Sequence, residues 1–197
     1  MKIITIPHQS LRKVAQRVTK VDDQLIKFIK NLEQSLVKSR NPQGVGLAAP
    51  QVDKLIRVLT TNLSSDHNPG HPGNRPQGEV RSFINPVIVK ACKRKKVLGV
   101  DPQDPDLEGC LSMPGLFGPV PRHRWVELEY QTINGDKLEK HQERFDDFHA
   151  RVIQHELDHL EGILFTDYAL ENDLPVYLQS KDEKRLIEID KKLVEAI

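Results

Sequence analysis

His155 and His159 stand four positions apart, with Glu156 directly after the first, in the run Val152-Ile-Gln-His-Glu-Leu-Asp-His-Leu-Glu-Gly162. On an α-helix that spacing puts both imidazoles on one face, a turn apart, so both can reach a single ion while the carboxylate adjoins it. The chemistry this suits is metal activation of water, with Glu156 taking the proton. A third ligand must come from elsewhere. The extended pattern with a third histidine six positions on does not apply, because that position is Phe165, although Gly162 matches its glycine. Glu171 and Glu183, on a following helix, are conceivable, and so is Cys110, upstream in Glu108-Gly-Cys-Leu-Ser-Met-Pro114. A thiolate with two imidazoles makes three ligands and leaves a position open. An arbitrary cysteine is more often a small buried hydrophobe, and Cys92 is read that way.

These residues need elements to carry them. Asp146 and Asp147 suit the start of a helix running to about Glu161, with Gly162 as its stop and an apolar face of Phe148, Ile153, Leu157 and Leu160. Residues 9–40 read as helix, where Asp22 and Asp23 suit a helix start and Leu25, Ile29, Leu32 and Leu36 fall at spacings of three and four. Gly44–Gln51, GVGLAAPQ, reads as a loop feeding a strand at 55–59. Strands are expected over 83–89 and 95–100. Trp125–Tyr130 alternates apolar and polar residues and leads to Asn134-Gly135, a strong hairpin signal, with a return strand to Phe145. Ser180 and Glu183 form a capping box for a C-terminal helix over 180–197, with Leu186, Ile189, Leu193 and Ile197 as its stripe. The expected class is α+β: mostly antiparallel sheets packed around a central metal-binding helix, with N-terminal helices and a C-terminal helix.

The 197 residues fit one domain, 1–197. Residues 63–79 are nearly all turn formers and read as a surface insertion, in which His67 and His71 are taken as solvated rather than as a second metal site. Twenty-nine Lys and Arg against 28 Asp and Glu leave a net charge of +1, which gives no sign of a DNA or polyanion binder. Two cysteines are too few for a secreted disulfide scaffold. The N-terminal apolar run Ile3–Ile6 is too short for a signal or membrane segment, so no membrane partner is expected. The setting expected is cytoplasmic, and an organellar protein freed of its transit peptide would look the same.

GVGLAAPQ, EGCLSMP and QHELDHLEG, in this order, resemble the three signature motifs of peptide deformylase. The resemblance implies that Cys110 joins His155 and His159 as the third metal ligand. It implies a ferrous ion in the cell, with Zn2+, Ni2+ or Co2+ able to take its place, and ligand softness does not choose among them. Glu156 is then the general base on water, and the Gln51 amide with the Leu111 backbone N–H supplies donors to the developing oxyanion. Val45, Gly46, Gly109 and Ile153 are placed along the substrate, with Gly44 and Gly46 allowing a close-lying extended peptide. Around the ligands, Asp158 and Gln154 flank the histidines, and Arg122 is expected to pair with a carboxylate such as Asp158. A tight site would admit formyl and exclude acetyl.

The implied function is removal of the N-formyl group from the initiator methionine of new polypeptides, releasing formate, with transient ribosome contact and a monomer or homodimer as the state. A zinc endopeptidase and a catalytically silent binding domain compete with it, and the intact Glu156 and Gln51 weigh against silence. Three features depart from the family pattern: Met113 stands for a β-branched residue, the segment FDDFHARVIQHE, with Asp147 and His149, stands where a glycine and small apolar residues are commoner, and 63–79 is extra.

Overall fold

The computed structural model describes residues 1–39, 43–63, 78–98, 106–180 and 185–195. In chain order these form a 3-10 turn (Gln9–Arg12), α1 (Asp23–Lys38), β1 (Gly46–Ala48), a second 3-10 turn (Ala49–Val52), β2 (Val58–Leu63), β3 (Glu79–Ala91), β4 (Lys95–Leu98), β5 (Glu108–Cys110) and β6 (Met113–Gly118). There follow β7 (Val120–His123), β8 (Trp125–Asn134), β9 (Lys137–Asp146), α2 (Asp147–Glu161), α3 (Phe165–Glu171), β10 (Tyr177–Gln179), β11 (Leu186–Glu188) and α4 (Lys191–Glu195). The strands pair antiparallel in three sheets, ordered β1-β2-β3-β8-β9, β11-β10-β6-β5 and β4-β7.

Alternation in β8 buries Val126, Leu128 and Tyr130 on one face. They pack with Leu59, Phe83 and Phe145 against Ile153, Leu157 and Leu160 of α2, so the helix is seated on the large sheet by its apolar stripe. The Asn134–Lys137 pair closes the β8–β9 hairpin around a two-residue turn at Gly135, as its sequence predicts. Helix α1 starts where Asp22 accepts from the Leu25 N–H at 2.9 Å, and it buries Leu25, Ile29, Leu32 and Leu36 against Leu47, Val58 and Ile84. Leu32 and Leu36 have no exposed surface, so truncating either to alanine costs about 2–5 kcal/mol. A third cluster, with Leu116, Val120 and Phe165, joins β6, β7 and α3.

The elements differ from the sequence expectation in four places. Residues 13–22 are extended rather than helical. Their polar groups are taken by distant partners: Ala15 N–H donates to the Leu160 carbonyl (2.8 Å), Arg57 N–H to the Gln16 carbonyl (2.8 Å) and Val18 N–H to Asn85 Oδ1 (2.8 Å). The loop expected at 44–51 contains β1, which gains its strand geometry by pairing with β2. Helix α3 has no counterpart in the sequence expectation. The C-terminal helix is present but shorter than expected, as α4 (Lys191–Glu195), because 186–188 form β11: Leu186 and Ile187 pair with Gln179 and Leu178 of β10, and Ser180 and Arg185 exchange hydrogen bonds. Glu183 of the capping box, His67, His71 and most of the 63–79 insertion lie outside the described residues. Cys92 is half-buried at the end of β3 rather than a core residue.

Candidate active site

Helix α2 carries His155, Glu156 and His159 and ends at Gly162, whose φ of 73° lets its N–H turn back to the last turn. A side chain there would also strike the backbone of Arg12 and Lys13, so the glycine lets the N-terminal segment cross the helix end. β5 approaches from the other side with Cys110, and one ligand atom each from Cys110, His155 and His159 lies within 4.8 Å of the others. No other such group occurs among the described residues. Cys110 Sγ is 3.2 Å from His159 Nε2. The chemistry of this set fits a divalent ion: one soft sulfur and two imidazoles, buried, make three ligands of the four that a tetrahedral ion takes. Glu171, conceivable as a third ligand from its sequence position, is exposed on α3 and outside the group, and Glu183 lies outside the described residues.

Each imidazole is prepared differently. Burial opposes charge on His155, but the Glu108 carboxylate and the Cys110 sulfur outweigh it and hold the pKa well above the ordinary histidine range. Glu108 Oε1 accepts from His155 Nδ1 at 2.6 Å, which leaves Nε2 for an ion. Burial and the neighbouring His155 charge hold His159 well below that range, so it keeps a free lone pair.

Glu108 is itself gripped by Arg122, which donates through Nε (3.0 Å) and Nη2 (2.5 Å), while Arg122 Nη1 donates to Asp158 Oδ2 at 2.6 Å. Tyr168 donates to the other Asp158 oxygen at 3.0 Å, and its ring lies 5.0 Å from the guanidinium. The expected Arg122–Asp158 pair is therefore present. Burial raises Glu108, yet Arg122 and His155 bring its pKa well below the carboxylate range. Glu108 and Arg151, whose Nη1 pairs with Asp106 at 2.6 Å, are absent from the sequence expectation. A signal for Glu108 exists: residues two apart on a strand share a face, and Glu108 is two before Cys110. Gln154 instead clamps β7, bonding the His123 N–H and carbonyl at 2.9 Å each.

Glu156 is 3% exposed, and its Oε2 has no hydrogen-bond partner among the described residues. Burial first, and then the charges of Glu108 and Asp158, raise its pKa to about 7. That value suits a group exchanging a proton with water near neutrality. Gly46 faces it: a Cβ there would overlap the carboxylate, so only glycine lets β1 pass this close. Gln51, 1% exposed in the second 3-10 turn, points Nε2 toward Cys110 Sγ at 3.5 Å, and Leu111 follows the sulfur directly.

The cleft that reaches these groups has a cavity volume of about 230 Å³. Val45, Gly46, Gly109, Leu111, Phe148 and Val152 are among the residues lining it. Ile153 is not; it is fully buried against the large sheet, and Val152, one position earlier, takes the place on the cleft wall. Asp147 sits at φ 48°, the left-handed region that glycine adopts freely.

Antiparallel sheets around a helix bearing this donor set and base define a metallo-hydrolase. The polypeptide deformylase family model matches residues 1–174, and the chain belongs to that family. Among curated relatives, the peptide deformylase of Pseudothermotoga lettingae is 34% identical over 188 residues, covering 95% of this chain and 91% of the relative. Peptide deformylase 1 of Prochlorococcus marinus is 40% identical over 84% of this chain and 79% of its own length. Among solved structures, the Plasmodium falciparum peptide deformylase has a TM-score of 0.68 at 35% identity, covering 85% of each chain. The Acinetobacter baumannii enzyme, solved with Met-Ala-Ser bound, has a TM-score of 0.68 at 29% identity, covering 85% of this chain and 97% of that one.

Proposed function

We propose that this chain hydrolyses the N-formyl group from the N-terminal formyl-methionine of newly synthesised polypeptides, releasing formate. The observation that carries this reading is the convergence of Cys110, His155 and His159 beside a buried Glu156 whose pKa is near 7, in a chain of the deformylase family. A divalent ion held by those three side chains would supply Lewis acidity, making water more acidic and polarising the formyl carbonyl. Glu156 accepts the proton of the attacking water and returns it to the departing methionine amine. The Gln51 Nε2–H and the Leu111 backbone N–H donate to the oxygen on which negative charge develops.

Both β1 and β5 are edge strands and both border the cleft, so an extended peptide can add beside them while Val45, Gly109 and Val152 meet its first side chain. Ferrous iron is the metal we assign in the cell on the strength of the family; the Cys-His-His donor set suits it as it would zinc, nickel or cobalt. The whole of 1–197 acts as one catalytic domain, in a bacterial cytosol or an organelle. It meets its substrate as chains leave the ribosome, and no described helix is long and apolar enough to cross a membrane.

Formate release from formyl-Met-Ala-Ser tests this, with protein loaded anaerobically with iron or loaded with nickel. Glu156→Ala should retain metal and lose about 10²–10⁴-fold in rate. Well-metallated protein that released no formate would sink the assignment, and cleavage of unformylated peptides would favour an endopeptidase.

A further inference from the structure

Gln51 and Ser112 come from different loops and meet in the interior, Gln51 1% exposed and Ser112 fully buried. Gln51 Oε1 accepts from the Ala48 N–H at 2.8 Å. Its Nε2 donates to Ser112 Oγ at 3.2 Å and lies 3.5 Å from Cys110 Sγ. An amide nitrogen has two N–H groups, so Ser112 Oγ accepts from one and Cys110 Sγ, a weak acceptor, from the other. Turned over, the amide would set its NH2 against the Ala48 N–H, donor facing donor, and its oxygen toward Cys110.

Backbone bonds hold the two loops at this separation. Ile4 N–H donates to the Gln51 carbonyl at 2.9 Å, and Ile6 N–H donates to the Ser112 carbonyl at 3.0 Å. Alternate residues of an extended segment face the same way, so residues 4–6 can staple both loops at once. Ser112 also gives its own N–H to Cys110 Sγ at 3.4 Å.

We propose that Ser112 is a positioning residue for Gln51: its hydroxyl engages one amide N–H so that the other is held at Cys110 Sγ, a weak acceptor from which the carbonyl oxygen of bound substrate can take it, with residues 4–6 fixing the two loops at the distance this requires. The inference rests on the formyl-removal reading above. Without the hydroxyl, a buried N–H is left without its acceptor, and the amide rotates to find another. A role in folding alone would act whether or not Gln51 is present. A role through Gln51 would not.

The test is a double-mutant cycle on nickel-loaded wild type, Ser112→Ala, Gln51→Ala and the double variant, each matched for metal content, with kcat and KM for formyl-Met-Ala-Ser. Ser112→Ala should lower kcat about tenfold with KM nearly unchanged, and in the Gln51→Ala background it should lower kcat less than about twofold further. Equal losses in both backgrounds, or no loss in the first, would overturn the proposal. Should Ser112→Ala fail to fold, glutamine-labelled, zinc-loaded wild type decides by NMR. The two Gln51 amide protons should then exchange with solvent at unequal rates, the one on Ser112 more slowly, and equal fast exchange would overturn it. Formate release by wild type judges the underlying reading separately.

Discussion

Two arginine–glutamate pairs in this molecule have nearly the same geometry and different surroundings. Arg122 grips Glu108 with two N–H groups at 3.0 and 2.5 Å, and Arg81 grips Glu143 with two at 3.0 and 2.6 Å. The first pair is 3% and 5% exposed, the second 35% and 38%. On the surface of β3 and β9, water solvates both ions whether or not they touch, so the bond adds little. Under α2, neither ion has water as an alternative, and the pair's net contribution is small while its loss is costly. What the buried pair does is orient: Glu108 also accepts from Arg151 Nε at 3.4 Å and, at 2.6 Å, from the Nδ1–H of His155. A strong local charge arrangement sits where it fixes an imidazole, and a chemically equivalent one remains as decoration on a sheet.

The sharpest way to break this comparison is Glu108→Ala. It strands Arg122 in the interior with Asp158 as its remaining carboxylate and frees the His155 ring. Unfolding free energy should fall by about 3–5 kcal/mol. Metal affinity, read by chelator competition, should fall about 10–100-fold. Loss of less than about 1 kcal/mol with unchanged metal affinity would mean the buried pair behaves like the surface one.

Much of this site is legible in the amino-acid sequence, for a physical reason. His155, Glu156 and His159 are fixed relative to one another by helix geometry alone, and Gly162 and the Ile153–Leu157–Leu160 stripe place that helix against a core. The hairpin at Gly135 is equally local. Cys110 and Gln51 need the family resemblance, because the fold joins segments about fifty residues apart. Residues 13–22 and 186–188 escape a reading of helical spacing, which is overruled in the first by bonds to distant loops and strands and in the second by pairing with the neighbouring β10. Ile153, expected at the cleft, lies one residue from the true lining residue Val152, and on a helix one position is a rotation of about 100°. The staple from Ile4 and Ile6 uses backbone N–H groups, which carry no sequence signal.

Glu156 sharpens the comparison from the opposite side, as a buried carboxylate without an arginine bonded to it. Glu108, equally buried, is held far below the ordinary range by its arginine, whereas burial raises Glu156 to about 7. Its proton is bound more tightly in the folded protein than in the unfolded chain. The stability this gives is fully present below about pH 4.5 and is lost as pH rises through about 7. In metal-free protein the loss amounts to roughly 3 kcal/mol. Glu156→Gln cannot ionise, so urea midpoints of the two metal-free proteins should diverge between about pH 4.5 and 7, the variant being more stable at pH 8. Groups that do not interact with Glu156 cancel in the difference. Parallel curves would show that Glu156 ionises at no cost and is solvated after all.

The smallest effect expected is on the surface pair, and its smallness is the control on the whole comparison. Glu143 also accepts from the Tyr130 hydroxyl at 2.9 Å, so Glu143→Ala removes three hydrogen bonds, and a count of contacts would rank it with Glu108. Burial predicts otherwise. Arg81 stays solvated after the substitution and keeps its place over the Phe83 and Phe145 rings, at 5.2 and 5.7 Å, so no ion is stranded. Unfolding free energy should change by at most about 1 kcal/mol and shrink further in high salt, with metal affinity untouched. A loss of about 3 kcal/mol or more would mean that hydrogen-bond number rather than access to water sets the cost, and the distinction between the two arginines would fail.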